Sequence, residues 1–161
     1  MTSPSVVRMA VPDDRESIIS LCHTLHDENG LFSLSIPKVT KLVDRCFAKK
    51  QAIIGVVGPV GAVEGSIYLS IEEPYYSDDI HLCEFWNVVH PDHRRSHHAK
   101  NLIEFAKRCS DETRLTLMIG IISNHRTAEK ARLYERRLQK AGVFFIHNPQ
   151  FAGGHWAEAA E

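Results

Sequence analysis

The stretch of this 161-residue chain richest in chemistry is Val88-Val89-His90-Pro91-Asp92-His93-Arg94-Arg95-Ser96-His97-His98-Ala99. An apolar run ends there in a short basic loop, and a helical pattern begins behind it. The start of a helix presents unpaired N–H groups and the positive end of its dipole. Arg94, Arg95 and Lys100 add charge beside it, so the junction is suited to phosphate. It is no P-loop, since Gly-Lys-Ser/Thr is absent, and no dinucleotide fingerprint, since the chain has no GxGxxG. Just upstream, Glu84 is the only carboxylate within residues 80–89. A carboxyl in apolar surroundings is expected to hold its proton above the usual range unless it is paired. His90, His93, His97 and His98 fall within nine residues. The Pro91 loop argues against one helix carrying both His93 and His97, and no cysteine or carboxylate stands at a recognisable ligand spacing, so no metal is expected.

A mixed α/β pattern must position these residues. Residues 6–9 are β-rich, and Pro12-Asp13-Asp14 turns into a helix whose stripe Ile18, Leu21, Cys22 and Leu25 runs to an Asn29-Gly30 stop. A second helix fits from about Pro37, with Val39, Leu42, Val43, Cys46 and Phe47 on one side, and ends near Lys49-Lys50. Residues 52–57 and 62–71, either side of Gly58-Pro59-Val60-Gly61, read as an antiparallel hairpin, and 80–89 as a central strand. A helix bearing Leu102, Ile103, Ala106 and Cys109 follows, then a buried strand over 115–122. A long basic helix is expected from Asn124 or Thr127 to Ala141, stopped by Gly142, then a strand over 143–146 and a weak one over 151–156. The order β-α-α-β-β-β-α-β-α-β(β) describes a single mixed β-sheet flanked by helices. It is expected to be one domain over residues 1–161, with 150–161 as a loose tail or a last strand.

With 43% apolar and 24% charged residues and a formal net charge of -1, the chain is too hydrophobic to be disordered and too balanced to be a general nucleic-acid binder. The balance hides an asymmetry. Residues 1–93 carry 7 Lys and Arg against 13 Asp and Glu, whereas 94–140 carry 12 against 5. The four cysteines are far apart with no CxxC pair and read as reduced core thiols. The first residues lack a secretory pattern, and no window approaches eighteen consecutive apolar residues. A cytoplasmic protein with no membrane partner is the expectation.

The junction resembles the signature of the GNAT superfamily of acyl-CoA-dependent N-acetyltransferases, a strand ending in Val-x-Pro followed by Gln/Arg-x-x-Gly-x-Gly/Ala opening a helix. Val89-His90-Pro91 and Arg94-Arg95-Ser96-His97-His98-Ala99 fall in that register, with His97 where the family prefers Gly. Asn124, Ala131, Leu133-Tyr134 and Gly142 match later family positions, at spacings longer by about one helical turn on each side of Tyr134. The resemblance implies acetyl-CoA as co-substrate. Main-chain groups at Val88 and Val89 would hold the pantetheine arm and thioester oxygen, and the N–H groups of Arg94, Arg95, Ser96, His97, His98, Ala99 and Lys100 the pyrophosphate. It implies direct attack by a primary amine without a covalent intermediate, with Glu84 as general base and Tyr134 as general acid.

Each of these residues also has an ordinary structural reading. In that reading Glu84 is a buried carboxylate tied to an Arg or to backbone donors, Tyr134 a core tyrosine, and Asn124 a helix cap rather than a pantetheine ligand. The acidic residues Glu28, Glu72, Glu73, Asp78 and Asp79 come from loops that in this family border the acceptor side, which would suit a cationic amine. The competing functions are a CoA-binding regulatory module without catalysis and, on the basic segment from Arg126 to Lys140, a nucleic-acid-binding domain. Pairing of residues 151–156 with another subunit would make a homodimer.

Overall fold

The computed structural model describes residues 6–123 and 126–147. Strand β1 (Arg8–Met9) leads through a short 3₁₀ turn, Pro12–Asp14, into α1 (Arg15–Asn29) and α2 (Ile36–Phe47). Then come β2 (Ala52–Val57), β3 (Gly65–Glu72), β4 (His81–Val89), a 3₁₀ turn Pro91–His93, α3 (His98–Thr113), β5 (Leu117–Met118) and α4 (Thr127–Glu135). The five strands form one sheet in the order β1-β2-β3-β4-β5. The first four are antiparallel, and β5 runs parallel to β4.

Alternation along the strands builds a core on each face. On one face α1 and α2 bring Ile18, Leu21, Val43 and Cys46 against Ile54, Val56, Tyr68 and Trp86. On the other, α3 brings Leu102, Phe105 and Ala106 against Val57, Ile67, Leu69 and Leu82. Gly55 lets α3 settle: a Cβ there would stand 2.5 Å from the Phe105 ring. The turn into α1 is locked by Asp14, fully buried, which accepts both guanidinium nitrogens of Arg8 at 2.7 and 2.9 Å and the N–H groups of Val11 and Gly61. Burial works against the Asp14 carboxylate, but Arg8 and the two backbone donors together hold it below its ordinary range.

Three expectations give way. The strand over 115–122 shrinks to Leu117–Met118, which pairs only Leu82 and Cys83. On its other side β4 carries an extra residue against β3, between Trp86 opposite Tyr68 and Glu84 opposite Leu69, and a bulge of this kind bends the strand just past Cys83. The helix expected to reach Ala141 ends at Glu135, because the Tyr134 carbonyl accepts the N–H groups of both Arg137 and Leu138 and tightens the last turn. Gly142 is therefore not its stop. The strand expected over 143–146 is not formed: with so short an edge on β5, Phe144 and Phe145 remain 74% and 91% exposed. The expected segment over 151–156 lies outside the described residues. Among those described, no helix is long and apolar enough to cross a membrane.

Candidate active site

The irregularity in β4 decides which side chains meet. Phe85 is the extra residue, and it stacks on Tyr68 beside Trp86, so two consecutive side chains lie on the face of α1 and α2. The alternation is thereby shifted by one. Glu84 stands opposite Leu69 and Asn87 opposite Ile67, both members of the α3-side core. In a regular strand, residues three apart face opposite ways. Here the bulge turns Glu84 and Asn87 to the same side, while Cys83, opposite Ser70, faces away as alternation requires.

Tyr134 completes the group. Its hydroxyl accepts a hydrogen bond from Asn87 Nδ2 at 3.1 Å, which ties α4 to the middle of β4. Burial pushes the Tyr134 phenol up and the neighbouring Glu84 charge adds to the shift, with the Asn87 bond working the other way. The phenol therefore keeps its proton. Burial pushes the Glu84 carboxyl up to about 8, against a hydrogen bond from the Gly120 N–H that works in the other direction. That Gly120 bond also records how the strands part. Two residues beyond the end of β5, a backbone donor turns to a side chain on β4 instead of a ladder carbonyl.

Because β5 pairs only Leu82 and Cys83, the edge of β4 from Glu84 to Val89 has no strand partner on that side among the described residues. A cleft of about 200 Å³ opens along it, walled by the ends of β4 and α1, the start of α3 and one side of α4. Four of the expected cofactor residues, Val88, Val89, Arg94 and Ala99, line it together with Tyr134. Arg94 is held by Glu28, which accepts its Nη2 at 2.5 Å, and its Nε donates to the Val89 carbonyl at 3.4 Å. The cleft is electrostatically mixed, with Glu28 and Glu129 facing Arg94, Arg126 and Lys130. Burial lowers the Lys130 ammonium from its usual range, Glu28 opposing and Arg94 and Arg126 adding to the shift, and its Nζ donates to Ser123 Oγ at 2.9 Å.

The remaining residues of the basic loop divide. Arg95, Ser96 and His97 in the loop and Lys100 in the first turn of α3 are exposed. The Ser96 hydroxyl accepts the His98 N–H at 3.2 Å, so that donor is already engaged. The His98 ring is buried and turned inward, its Nε2 2.6 Å from Glu64 Oε2. His97 precedes α3 with φ -88°, a conformation open to any residue, so a side chain in the glycine position of the signature carries no backbone strain. Ala99 and Lys100 keep the first-turn N–H groups that an anion can use. Asn124 lies outside the described residues.

Of the acidic residues expected near an acceptor, Glu28 alone lines the cleft. Glu72 ends β3, and Glu73, Asp78 and Asp79 follow it in the connection to β4, where Glu72 pairs with His81, at the end of the sheet opposite Val88 and Val89. Residues without an assigned role in the sequence do appear: Asn87, Lys130, Glu129 and Leu133. Asn87 was visible as a polar position in an apolar strand, but regular alternation places it away from Glu84.

No protein-family model matches the chain, and no curated protein sequence does. Solved structures do match in fold. An acetyltransferase from Trypanosoma brucei superposes with a TM-score of 0.65 at 18% identity, over 88% of this chain and 96% of that one. Ribosomal-protein-alanine N-acetyltransferase from Brucella melitensis biovar Abortus 2308 gives 0.65 at 16% identity, over 91% and 100%. AAC(6')-Iy, solved in complex with the bisubstrate analogue CoA-S-monomethyl-acetylneamine, gives 0.67 at 14%, over 92% and 99%. The fold is that of the GNAT acetyltransferases.

Proposed function

We propose that this protein is an N-acetyltransferase that moves the acetyl group of acetyl-CoA directly to a primary amine. The observation that carries the reading is the Tyr134 hydroxyl, hydrogen-bonded to Asn87 in the cleft beside the unpaired edge of β4 and next to the buried Glu84 carboxyl, with Arg94 and the first turn of α3 lining the same cleft. The fold adds weight, because a protein of the same fold binds a CoA bisubstrate analogue.

In this reading the pantetheine arm lies along the β4 edge at Val88 and Val89, and the N–H groups of Ala99 and Lys100 with Arg94 receive the pyrophosphate. Arg94 must then exchange Glu28 for phosphate, or share itself between them. The acceptor sheds its ammonium proton to solvent, and the neutral amine nitrogen attacks the thioester carbon, forming a C–N bond as the C–S bond breaks. Glu84 accepts the proton from nitrogen, and the Tyr134 hydroxyl delivers one to the departing sulfur. Asn87, by donating to the Tyr134 oxygen, orients the phenol and supports the charge that develops on it. With Glu84 titrating at about 8, the base form gains as pH rises through that value.

The acceptor is a cationic primary amine drawn by Glu28, on a small molecule or a protein. The separated cysteines, none in a CxxC pair, suit a reducing compartment such as the cytoplasm. The test is a panel of amines with acetyl-CoA, read as free thiol release. Amine-dependent release that collapses in Glu84→Gln supports the reading. Stoichiometric CoA binding with no amine-dependent release in any member of a broad panel assigns the fold to a CoA-binding module instead.

A further inference from the structure

A second group of side chains gathers beside the basic loop, none of them lining the cleft. Glu64, in the turn before β3, His93, closing the 3₁₀ turn, and His98, opening α3, bring one carboxylate oxygen and two ring nitrogens within 4.8 Å of one another. Glu64 Oε2 stands 2.6 Å from His98 Nε2 and 3.5 Å from His93 Nδ1. The spacing of residues along the chain conceals this set, since the carboxylate arrives from a distant turn.

We propose that Glu64, His93 and His98 form a binding site for a divalent transition metal ion, with Zn²⁺ the best match. Zinc bonds of about 2.0–2.2 Å to nitrogen and oxygen place tetrahedral ligand atoms about 3.4 Å apart. The Glu64–His93 contact already has that value, and the other two edges adjust by side-chain rotation of the order of an ångström. Two imidazoles and one carboxylate are borderline and hard donors that suit Zn²⁺ and exclude a preference for Ca²⁺ or Mg²⁺. Three protein ligands leave the fourth position to solvent, which reaches the site past His93 (40% exposed) and Glu64 (27% exposed).

The scaffold is ordered before any ion arrives. The Glu64 backbone is tied on both sides, its N–H donating to the Val57 carbonyl at 2.8 Å and its carbonyl accepting the His90 N–H at 2.7 Å. His98 is buried and sits in the first turn of α3, and its ring lies nearly parallel to that of His93, 24° between planes and 5.9 Å between centroids. The only polar contact of the His98 ring among the described residues is the one at Nε2, which an ion would replace. A bound ion would staple the turn before β3 to the loop and to the start of α3. The start of α3 is the segment proposed above to receive phosphate, but the metal site stands without that proposal.

The test is metal binding by the full chain after chelator treatment, using Zn²⁺ in competition with a chromophoric chelator and Co²⁺ as an optical probe of coordination. The expected result is one equivalent bound at micromolar concentration or tighter, with a Co²⁺ d–d spectrum of low coordination number. His93→Ala and Glu64→Gln each weaken binding at least tenfold, while His97→Ala, at an exposed histidine four residues on, leaves it unchanged. His93 is partly exposed, so its variant keeps the fold even if a His98 variant does not; circular dichroism checks this. Absence of stoichiometric binding at about 100 µM Zn²⁺ overturns the proposal. So does equal loss in His97→Ala, or binding that survives both His93→Ala and Glu64→Gln.

Discussion

Replacing Glu84 by Gln separates the burial of this carboxyl from its chemistry. The side chain keeps its shape and loses its titration. In the folded protein the carboxyl holds its proton up to about 8, against an ordinary 4.5. The folded state therefore binds more protons than the unfolded chain across that window, and stability falls as pH rises through it. At about 1.4 kcal/mol per pH unit of displaced titration, the ceiling on that loss is about 5 kcal/mol; water entry on ionisation lowers it. We expect wild type and Glu84→Gln to unfold at similar temperatures near pH 5. At pH 9 the variant should be the more stable by at least about 1 kcal/mol, or about 2–4 °C for a chain of this size. Thermal unfolding followed by circular dichroism at several pH values measures this without any substrate. With the best amine of a panel, kcat/KM should fall about 10²–10⁴-fold in the variant, and the limb of the pH profile near 8 should disappear. Parallel melting curves for the two proteins at every pH, or a variant that keeps the alkaline limb, would show that the Glu84 carboxyl neither titrates near 8 nor serves as the base.

Further outcomes follow from the same geometry. Tyr134→Phe removes the phenolic proton and should lower kcat about 10–100-fold while KM for acetyl-CoA changes little, as measured by steady-state thiol release. Arg94→Ala frees Glu28 and removes a phosphate partner. The apparent KM for acetyl-CoA should rise about tenfold with kcat less affected, and dephospho-CoA and CoA should be weakened alike if the contact is to the pyrophosphate. Gly55→Ala drives a methyl to 2.5 Å from the Phe105 ring and should cost about 1–3 kcal/mol in urea unfolding, by displacing α3 from the sheet. Arg8→Ala leaves the buried Asp14 carboxylate with backbone donors only and should cost about 3 kcal/mol at neutral pH. That difference shrinks as the pH falls through the Asp14 titration, because the stability it reports is present only while the carboxylate is charged.

Much of the architecture was legible because burial imposes periodicity. The stripe through Ile18, Leu21 and Cys22, the hairpin around Gly58 and Gly61, and the continuous apolar run of β4 each follow from one face or two being covered. The phosphate-suited junction was legible too, since a strand, a Pro-terminated loop and a helix start are local features. The second half was not, for reasons of partnership. Residues 115–122 and 143–146 read as strands on composition, but a strand forms only where an edge accepts it, and the bulge at Phe85 withdraws that edge after Cys83. The same bulge explains what the candidate site concealed. Regular alternation separates Glu84 from Asn87, and a single inserted residue unites them beneath Tyr134. His98 and Arg94 show a further limit. Sequence places both in a phosphate loop, while Glu64, before β3, and Glu28, near the end of α1, take hold of their polar ends.

In the proposed binding mode the gap beside β4 holds the arm of acetyl-CoA, with its phosphates at the start of α3. Isothermal titration of the full chain with acetyl-CoA tests it most directly. One equivalent should bind at micromolar concentration, be displaced by CoA and be weakened about tenfold in Arg94→Ala. No detectable heat at near-millimolar acetyl-CoA, or binding indifferent to Arg94→Ala and to CoA, would contradict it.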